Sequence, residues 1–213
     1  MAADDRSTRH PLFARVFDRF AAKDEERGQA ELRRELLAGL SGRVVELGAG
    51  NGLNFPHYQA TVEELVAVEP EAYLRERAVE AARAAPVPIV VTGGLAGSLP
   101  LDDASFDAAV VSGVLCSVPD QESALADLRR VLRPGGELRF YEHVRASGAV
   151  RARVQDAVDV VWPRLMGGCH PNRDTLTAIE RAGFRVERCR SFRFPPAARV
   201  SPVAPRVLGV ARR

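Results

Sequence analysis

The chain has 213 residues, 46% of them hydrophobic, and its formal net charge is +2. A chain of this size and composition buries a full hydrophobic core without disulfides or metals. No apolar run approaches the ~18 residues of a membrane span, and the polar stretch from Met1 to His10 lacks the layout of a signal peptide. We therefore expect one soluble domain located in the cytoplasm.

The positions of the arginines and cysteines bear on whether the protein binds nucleic acid, forms disulfides or carries a zinc knuckle. The segment from Arg181 to Arg213 holds nine arginines and one acidic residue. Because these arginines are spread through strand-like and proline-rich sequence, we interpret them as solvated surface and expect no nucleic-acid partner. The cysteines contain no C-x-x-C pair, so the sequence predicts neither a disulfide framework nor a zinc knuckle. They are Cys116, Cys169 and Cys189.

The first half of the chain alternates helical and strand patterns. Leu32, Leu36, Leu37 and Leu40 make one apolar stripe, which predicts a helix over residues 24–40. The short apolar runs that follow are typical of buried strands. The predicted elements are a strand over 43–47, a helix after the glycine-rich turn, a strand ending at Glu69, a helix over 71–85, and strands over 87–91 and 106–112.

The second half continues this alternation. Leu125, Leu128 and Leu132 predict a helix that stops at Pro134, and a strand over 138–144 follows it. Another helix is predicted to begin at Asn172 as its cap and to end at Gly183. Between them lies a helix with one apolar face, formed by Val150, Val154, Ala157, Val158 and Val161.

Two strand patterns close the chain, over 184–194 and 205–211. Because no helical pattern separates them, they should form a hairpin, which makes one strand antiparallel to the others. The sequence therefore predicts an α/β protein with a doubly wound, mostly parallel sheet of seven strands and one antiparallel terminal strand.

The most informative motif runs from Val44 to Gly52, where an apolar strand leads into three alternating glycines. Glycine lets the backbone approach a ligand closely because no Cβ stands in the way. A second strand ends in an acidic residue, Glu69. In an open α/β sheet these two strand ends lie side by side, and such an acid hydrogen-bonds the ribose hydroxyls of a nucleoside. The pair predicts an adenosine-containing cofactor.

The glycine spacing argues against a dinucleotide. The dinucleotide fingerprint is G-x-G-x-x-G, whereas this chain has G-x-G-x-G at Gly48, Gly50 and Gly52. Glu46, just before the loop, would repel a pyrophosphate but suits a cationic amino group. An NAD-dependent oxidoreductase is further disfavoured because Lys23 is the only lysine, so no Tyr-x-x-x-Lys pair exists. A non-catalytic cofactor-binding protein stays open as an alternative.

Four segments, in this order, resemble the class I S-adenosylmethionine-dependent methyltransferases. They are the glycine loop, Val68–Pro70, Ser98–Asp107 and Leu132–Gly136. The last two resemble the branch that includes the quinone-ring methyltransferases. The resemblance implies S-adenosyl-L-methionine as the cofactor and methyl transfer to a small-molecule acceptor.

Three further segments are similar to the methyltransferase-like proteins that methylate alkyl thiols. They are Val114–Val118, Tyr141–Val144 and Gly168–His170. Those relatives carry a hydrophobic N-terminal anchor that is not seen here, so we expect a soluble protein. The acceptor implied first is a small or hydrophobic thiol, and the second is a quinone or phenol ring.

The resemblance also implies roles for single residues at the cofactor. Glu46 would orient the amino group, and Glu69 would bind the ribose. The family usually places an acidic side chain against the adenine amino group, but here that position is Leu95, with the backbone of Ala96 beside it. The remaining predicted cofactor contacts are Gly48, Ala49, Gly50, Gly52, Pro70, Ser112 and Gly113, the last two near the methyl group.

Candidate catalytic residues lie at the carboxyl end of the predicted fifth strand and in a later turn. His143 is the best candidate for a base, with Glu142 beside it, and alternation along a strand lets only one of them face the acceptor. His170 is a second candidate, in a turn before a helix. We expect no metal site from Cys169 and His170, since two further ligands at suitable spacing are missing. Cys116 is interpreted as a small buried filler.

An aromatic pattern precedes the first strand. Phe13, Val16, Phe17 and Phe20 recur at helical spacing. In related enzymes such a segment folds over the cofactor as a lid and excludes water. The alternative is that these side chains pack on the sheet. We therefore divide the chain into an N-terminal helical segment over 1–40, a candidate lid, and a cofactor-binding domain over 41–213.

Overall fold

The computed structural model describes residues 13–16, 18–19, 25–195 and 201–213. In this part of the chain seven strands form one sheet. They are β1 (Gly42–Leu47), β2 (Val62–Val68), β3 (Ile89–Thr92), β4 (Phe106–Ser112), β5 (Leu132–His143), β6 (Arg185–Arg193) and β7 (Pro205–Arg212).

The strand order is β3-β2-β1-β4-β5-β7-β6. The pairs among β1 to β5 are parallel, whereas β7 runs antiparallel to both β5 and β6. The predicted mostly parallel, seven-stranded sheet with one antiparallel strand is therefore confirmed. The order reverses between β1 and β4, and the crevice outside the carboxyl ends of strands at such a point is where doubly wound sheets bind ligands.

Helices connect the strands. They are α1 (Ala30–Leu37), α2 (Ala72–Ala82), α3 (Gln121–Val131), α4 (Ala149–Asp159), the short α5 (Trp162–Leu165) and α6 (Thr175–Arg181). Residues 13–16 and 18–19 are also helical. Among the described residues, none of the helices combines the length and apolarity needed to cross a membrane.

The helices cover both faces of the sheet. Val44 and Val110 pack on one face with Leu36 of α1, while Val45 and its neighbours pack on the other with Leu125 of α3. Successive strand residues point to opposite faces, so a strand buried on both sides needs an unbroken apolar run. Each fully buried aliphatic side chain stabilises the fold by about 1.5–3 kcal/mol.

The helix predicted over 24–40 is shorter in the structure. It is regular only over Ala30–Leu37, because Gly28 (φ 102°) interrupts it at its start and Gly39 (φ 75°) follows its end. Helical residues do not adopt positive φ, and glycine tolerates it without a steric penalty.

The helix predicted directly after the glycine loop does not form. Residues 51–61, all of which the structure describes, contain only a 3-10 turn at Phe55–His57. Phe55 is fully buried, and the Tyr58 hydroxyl donates a hydrogen bond to Glu46 at 2.8 Å. These two anchors pull the short connection into the interior, and Pro56 lacks the N–H that a helix would use.

The apolar face predicted for α4 is exposed. Val150 is 75% exposed and Val161, just beyond the helix, is 53% exposed, whereas Ala152 and Gln155 are buried. Gln155 decides this orientation because its amide nitrogen donates to three carbonyl oxygens, and its oxygen accepts from the Ala146 N–H. The four hydrogen bonds of the buried Gln155 side chain favour this orientation of the helix more than burial of the valines would favour the opposite one.

The cap predicted for α6 is also wrong by two residues. Asp174, not Asn172, caps the helix, because its carboxylate accepts the Thr177 N–H at 3.2 Å. The Asn172 side chain instead donates to Asp156 at 3.1 Å. Both residue types cap helices well, so the sequence alone does not separate them.

Candidate active site

The glycine loop and the end of β2 are joined by hydrogen bonds. The N–H groups of Gly48 and Ala49 donate to the Val68 carbonyl at 2.8 and 3.2 Å. The Gly50 N–H donates to a carboxylate oxygen of Glu69 at 2.8 Å. The glycine loop and Glu69 thus lie side by side at the carboxyl-terminal edge of the sheet, as predicted.

The tight loop requires glycine. Gly48, Gly50 and Gly52 have φ values of 68°, 58° and 83°. A Cβ on Gly48 would lie 2.5 Å from Cγ2 of Val114, and one on Gly52 would lie 2.8 Å from the Phe55 ring. Side chains at these positions would therefore meet both backbone strain and a steric conflict.

Glu69 is held as a buried acceptor. It is 5% exposed, and its second carboxylate oxygen accepts the Glu71 N–H at 2.9 Å. Burial raises the pKa of this carboxyl group above its ordinary value, while the two backbone donors oppose the rise. The carbonyl of the next residue, Pro70, accepts from Arg75 at 2.9 Å. A fixed acidic acceptor at this strand end suits ribose hydroxyls.

Glu46 lies in a buried polar network beneath the loop. Its carboxylate accepts hydrogen bonds from the Asn54 amide at 2.7 Å and from the Tyr58 hydroxyl at 2.8 Å. Asn54 in turn accepts from Arg33 at 2.7 Å. Burial raises the pKa of Glu46 to about 7. No local pattern in the sequence predicts the contacts of Arg33 and Asn54 in this network, because Arg33 lies far from Asn54 along the chain.

The predicted adenine position is apolar. Leu95 is half-buried in the loop after β3, and its carbonyl accepts the Ser98 N–H at 3.2 Å. Ala96 packs against the core cluster of α3. On the other side of the crevice, Gly113 follows β4 with φ 70°, and a Cβ there would have no atom of the described residues within 4 Å. As far as these residues show, the edge beside Ser112 and Gly113 is open to a ligand.

Glu142 organises the loop after β4. Its carboxylate accepts the backbone N–H groups of Val114, Leu115 and Cys116, at 2.9, 3.1 and 3.3 Å. It is 1% exposed, and burial raises its pKa to about 7. Glu142 thus holds backbone in place, and of the two adjacent candidates only His143 is partly exposed.

Three side chains converge next to this loop. The Nδ1 atom of His143 lies 3.5 Å from Sγ of Cys116 and 3.4 Å from Sγ of Cys169, and the two sulfur atoms are 3.7 Å apart. We call Cys116, His143 and Cys169 the sulfur–imidazole cluster. Sequence reasoning missed it, because its members come from three separate segments and share no local spacing pattern.

The surroundings shift the proton affinities within the cluster. Burial lowers the pKa of His143, with a further lowering by Arg206, so the imidazole is neutral at pH 7. Contact with Cys169, together with burial, raises the pKa of the Cys116 thiol. The same contact lowers the pKa of Cys169. Of the two thiols, Cys169 is therefore the one that more readily carries negative charge.

His170 lies beside the cluster rather than in it. Its Nδ1 is 3.0 Å from the carboxylate of Asp159 on α4, and its backbone N–H donates to the Cys116 carbonyl at 2.8 Å. Arg173 is close by, since its guanidinium donates to the carbonyls of Leu115 and Val118 at 2.8 and 2.6 Å. The catalytic roles predicted for His143, Glu142 and His170 stay predictions.

The described part of the N-terminal segment touches both ends of this edge. Asp18 accepts from the Asn51 amide in the glycine loop at 2.9 Å and from the Tyr73 hydroxyl at 3.1 Å. The Phe13 ring would be 2.6 Å from a Cβ on Gly167, near Cys169. Val16 is 54% exposed. The other two members of the aromatic pattern, Phe17 and Phe20, lie outside the described residues.

A separate cavity of about 290 Å³ lies at the opposite edge of the sheet, between Gly39–Ser41 and Arg133–Glu137. This is the amino-terminal edge of β1 and β4. Ligands of doubly wound sheets bind at the carboxyl ends of the strands, so the glycine loop, and not this cavity, is the candidate cofactor site.

The strand order, the antiparallel β7 and the glycine loop bonded to Glu69 together define the class I methyltransferase architecture. Comparison with known proteins agrees. The family described as a methyltransferase domain matches residues 45–140. The thiol S-methyltransferase TMT1B of Mus musculus is 34% identical, and the match covers 96% of this chain and 86% of that protein.

Two other proteins illustrate the wider relationship. The ubiquinone/menaquinone biosynthesis C-methyltransferase UbiE of Pseudomonas fluorescens is 26% identical, over 64% of this chain and 62% of its own length. A solved S-adenosylmethionine-dependent methyltransferase from Mesorhizobium loti has a TM-score of 0.64 at 22% identity, and the match covers 88% of this chain and 98% of that one. This last likeness concerns the fold alone.

The chain therefore belongs to the class I S-adenosylmethionine-dependent methyltransferases. It is an enzyme of that family, and the family resemblance noted in the sequence is confirmed. The dehydrogenase and non-catalytic alternatives fall with this result.

Proposed function

We propose that this enzyme transfers the methyl group of S-adenosylmethionine to a small thiol. The observation that carries the proposal is the sulfur–imidazole cluster at the carboxyl-terminal edge of β4 and β5, beside the open position at Gly113. The name of the Mus musculus relative, a thiol S-methyltransferase, supports the same acceptor.

The residues present fit the cofactor. Glu69 offers a buried carboxylate to the ribose hydroxyls, and the positive φ values of the glycine loop let backbone approach the methionine part. Glu46 acts on the amino group, and Leu95 with Ala96 packs on the adenine. When bound, S-adenosylmethionine supplies an electrophilic methyl group carried on a sulfonium.

The chain must also align the acceptor and favour its thiolate form. A free thiol has a pKa of about 8.5, and only the thiolate is strongly nucleophilic. We place this task in the sulfur–imidazole cluster, next to the positive charges of Arg173 and Arg206. Alignment of the acceptor sulfur with the methyl group can itself supply several kcal/mol of barrier reduction.

We also propose that the N-terminal segment over 1–40 closes the site above the domain over 41–213. Support comes from Asp18, which bonds to the glycine loop, and from Phe13, which lies near Gly167. A segment that touches both ends of the crevice is placed to exclude water from the transfer.

The test is a methylation assay of the purified protein with S-adenosylmethionine and three acceptors, namely ethanethiol, phenol and hydroquinone. We expect the methyl thioether of ethanethiol, identified by mass spectrometry, and no product when S-adenosylhomocysteine replaces the cofactor. Methylation of the ring compounds with no thioether would overturn the thiol assignment and favour chemistry like that named for the UbiE relative.

A further inference from the structure

The sulfur–imidazole cluster has the dimensions of a metal-binding triangle. Its sides are 3.4 and 3.5 Å from nitrogen to the two sulfurs and 3.7 Å between the sulfurs. In a tetrahedral zinc site with Zn–S of about 2.3 Å and Zn–N of about 2.0–2.1 Å, two sulfurs lie about 3.8 Å apart, and sulfur and nitrogen about 3.5–3.6 Å apart. The observed triangle agrees with these values on all three sides.

We propose that Cys116, His143 and Cys169 bind one Zn²⁺ ion and that the acceptor thiolate occupies its fourth position. Two cysteines and one histidine form a ligand set found in catalytic zinc sites, in which three protein ligands leave one position open. Soft sulfur donors also favour zinc over magnesium or calcium. The identity of the fourth ligand rests on the proposed function, whereas the metal site itself does not.

The neighbouring residues hold the three ligands in place. The Glu142 carboxylate accepts hydrogen bonds from the backbone N–H groups of residues 114–116 and so fixes the loop that carries Cys116. The His170 N–H donates to the Cys116 carbonyl at 2.8 Å and ties the segment of Cys169 to that loop. Preorganised ligands with hydrogen-bonded neighbours are the usual surroundings of a metal site.

The charges around the cluster suit a third thiolate. Zn²⁺ with two cysteine thiolates is neutral, and an acceptor thiolate would make the site negative by one. Arg206 acts electrostatically on His143 and Cys169, and Arg173 acts on both cysteines. These two cations offset the added negative charge and so favour the binding of an anionic acceptor.

The chemical step balances without another reactant. The acceptor thiol releases its proton to solvent when it binds zinc as a thiolate. Its sulfur then attacks the methyl carbon, the sulfonium carbon–sulfur bond breaks, and the electron pair stays on the departing sulfur. The products are a methyl thioether, S-adenosylhomocysteine and one proton. The neutral thioether binds zinc weakly and leaves.

This proposal departs from the expectation of no metal, which considered only the adjacent Cys169 and His170. In the structure the histidine that lies next to Cys169 in the cluster is His143 and not His170. The third ligand is Cys116, from the loop after β4. It also gives Cys116 a role beyond that of a buried filler.

The first experiment measures metal binding by the full chain, purified with a phosphine reductant because thiol reductants compete for the ion. We expect one zinc per chain by elemental analysis. Replacing zinc with Co²⁺ should give thiolate-to-cobalt charge-transfer bands and the visible bands of tetrahedral cobalt. Cys116→Ser and Cys169→Ser should lose the metal, while Cys189→Ser, which changes the exposed cysteine on β6, should retain it.

The cobalt spectrum of the unmutated protein tests the site even where a cysteine variant fails to fold. A folded chain that binds neither ion, or one that forms a Cys116–Cys169 disulfide in place of metal binding, would overturn the proposal.

The second experiment separates the metal from the proposed function. Ethanethiol added to the cobalt protein should shift the charge-transfer bands, and chelation should abolish thioether formation until Zn²⁺ is restored. If the chelated protein still methylates ethanethiol at the full rate, the assignment of the acceptor thiolate as the fourth zinc ligand fails and the thiol function stands. If the protein binds zinc but gives neither a spectral shift nor a thioether, the fourth-ligand assignment and the thiol function fail together, and the metal site remains.

Discussion

The carboxylate of Glu69 accepts a hydrogen bond from the Gly50 N–H at 2.8 Å, and this contact ties the glycine loop to the end of β2. Gly50 follows β1 and Glu69 follows β2, and the register of these two strands pairs Leu47 with Val68 just before them. The acid is therefore positioned by backbone before any ligand arrives.

We expect Glu69→Ala to weaken S-adenosylmethionine binding by about 10- to 100-fold. The variant loses hydrogen bonds to a charged acceptor, each worth about 1.5–3 kcal/mol. Titration calorimetry with S-adenosylmethionine and S-adenosylhomocysteine measures the effect. Glu63→Ala, at an exposed position of the same strand, is the matched control. Equal affinities for both variants would remove Glu69 from the cofactor site.

Asp18→Ala should weaken cofactor binding by about 3- to 10-fold, in line with a partly exposed hydrogen bond of roughly 1 kcal/mol. The reason is that Asp18 joins the N-terminal segment to Asn51 and Tyr73. Stopped-flow measurement should show faster cofactor release, with little change in the melting temperature. Arg19→Ala, at an exposed neighbouring position, serves as the control. An unchanged release rate for Asp18→Ala would contradict the lid.

Glu46→Gln should stabilise the protein at high pH. Glu46 ionises at 4.5 in the unfolded chain and at about 7 in the fold, because burial disfavours its charge. As pH rises from the first value to the second, the unfolded state gains charge before the folded state, so folding stability falls. Above pH 7 the loss is complete, and it amounts to about 2–4 kcal/mol.

The melting temperature of Glu46→Gln should therefore exceed that of the unmodified protein at about pH 8 and approach it at about pH 5. Glu63→Gln, at an exposed site, should show no such trend. Glu142, whose pKa burial also raises to about 7, keeps part of the pH dependence in both proteins. A gain of equal size at both pH values would argue against a titration of Glu46.

Gly48→Ala is expected to destabilise the fold by about 2–4 kcal/mol, since an alanine at positive φ is strained and its Cβ would overpack the site. The added carbon would lie 2.5 Å from Val114. Chemical denaturation measures the change. Gly93→Ala is the control, because its Cβ would make only an ordinary contact at 3.5 Å with Arg75. A wild-type midpoint for Gly48→Ala would show that Val114 can move aside.

Local sequence determined the elements that depend on local chemistry. The apolar runs that became β1, β2 and β4, the three glycines, the strand-end acid and the terminal hairpin are each legible in a short window, because side-chain periodicity and backbone sterics act over a few residues. For the same reason the methyltransferase fold and its cofactor loop could be inferred before the structure.

Tertiary structure decided what depends on distant partners. The segment after the glycine loop is not a helix because Phe55 and Tyr58 are drawn inward, and α4 exposes its valines because Gln155 bonds to carbonyls from three other segments. The sulfur–imidazole cluster belongs to this second group. Cys116, His143 and Cys169 meet only because β4 and β5 end side by side and the chain after α5 returns to them, and pairing between strands leaves no mark on the spacing of residues within any one of them.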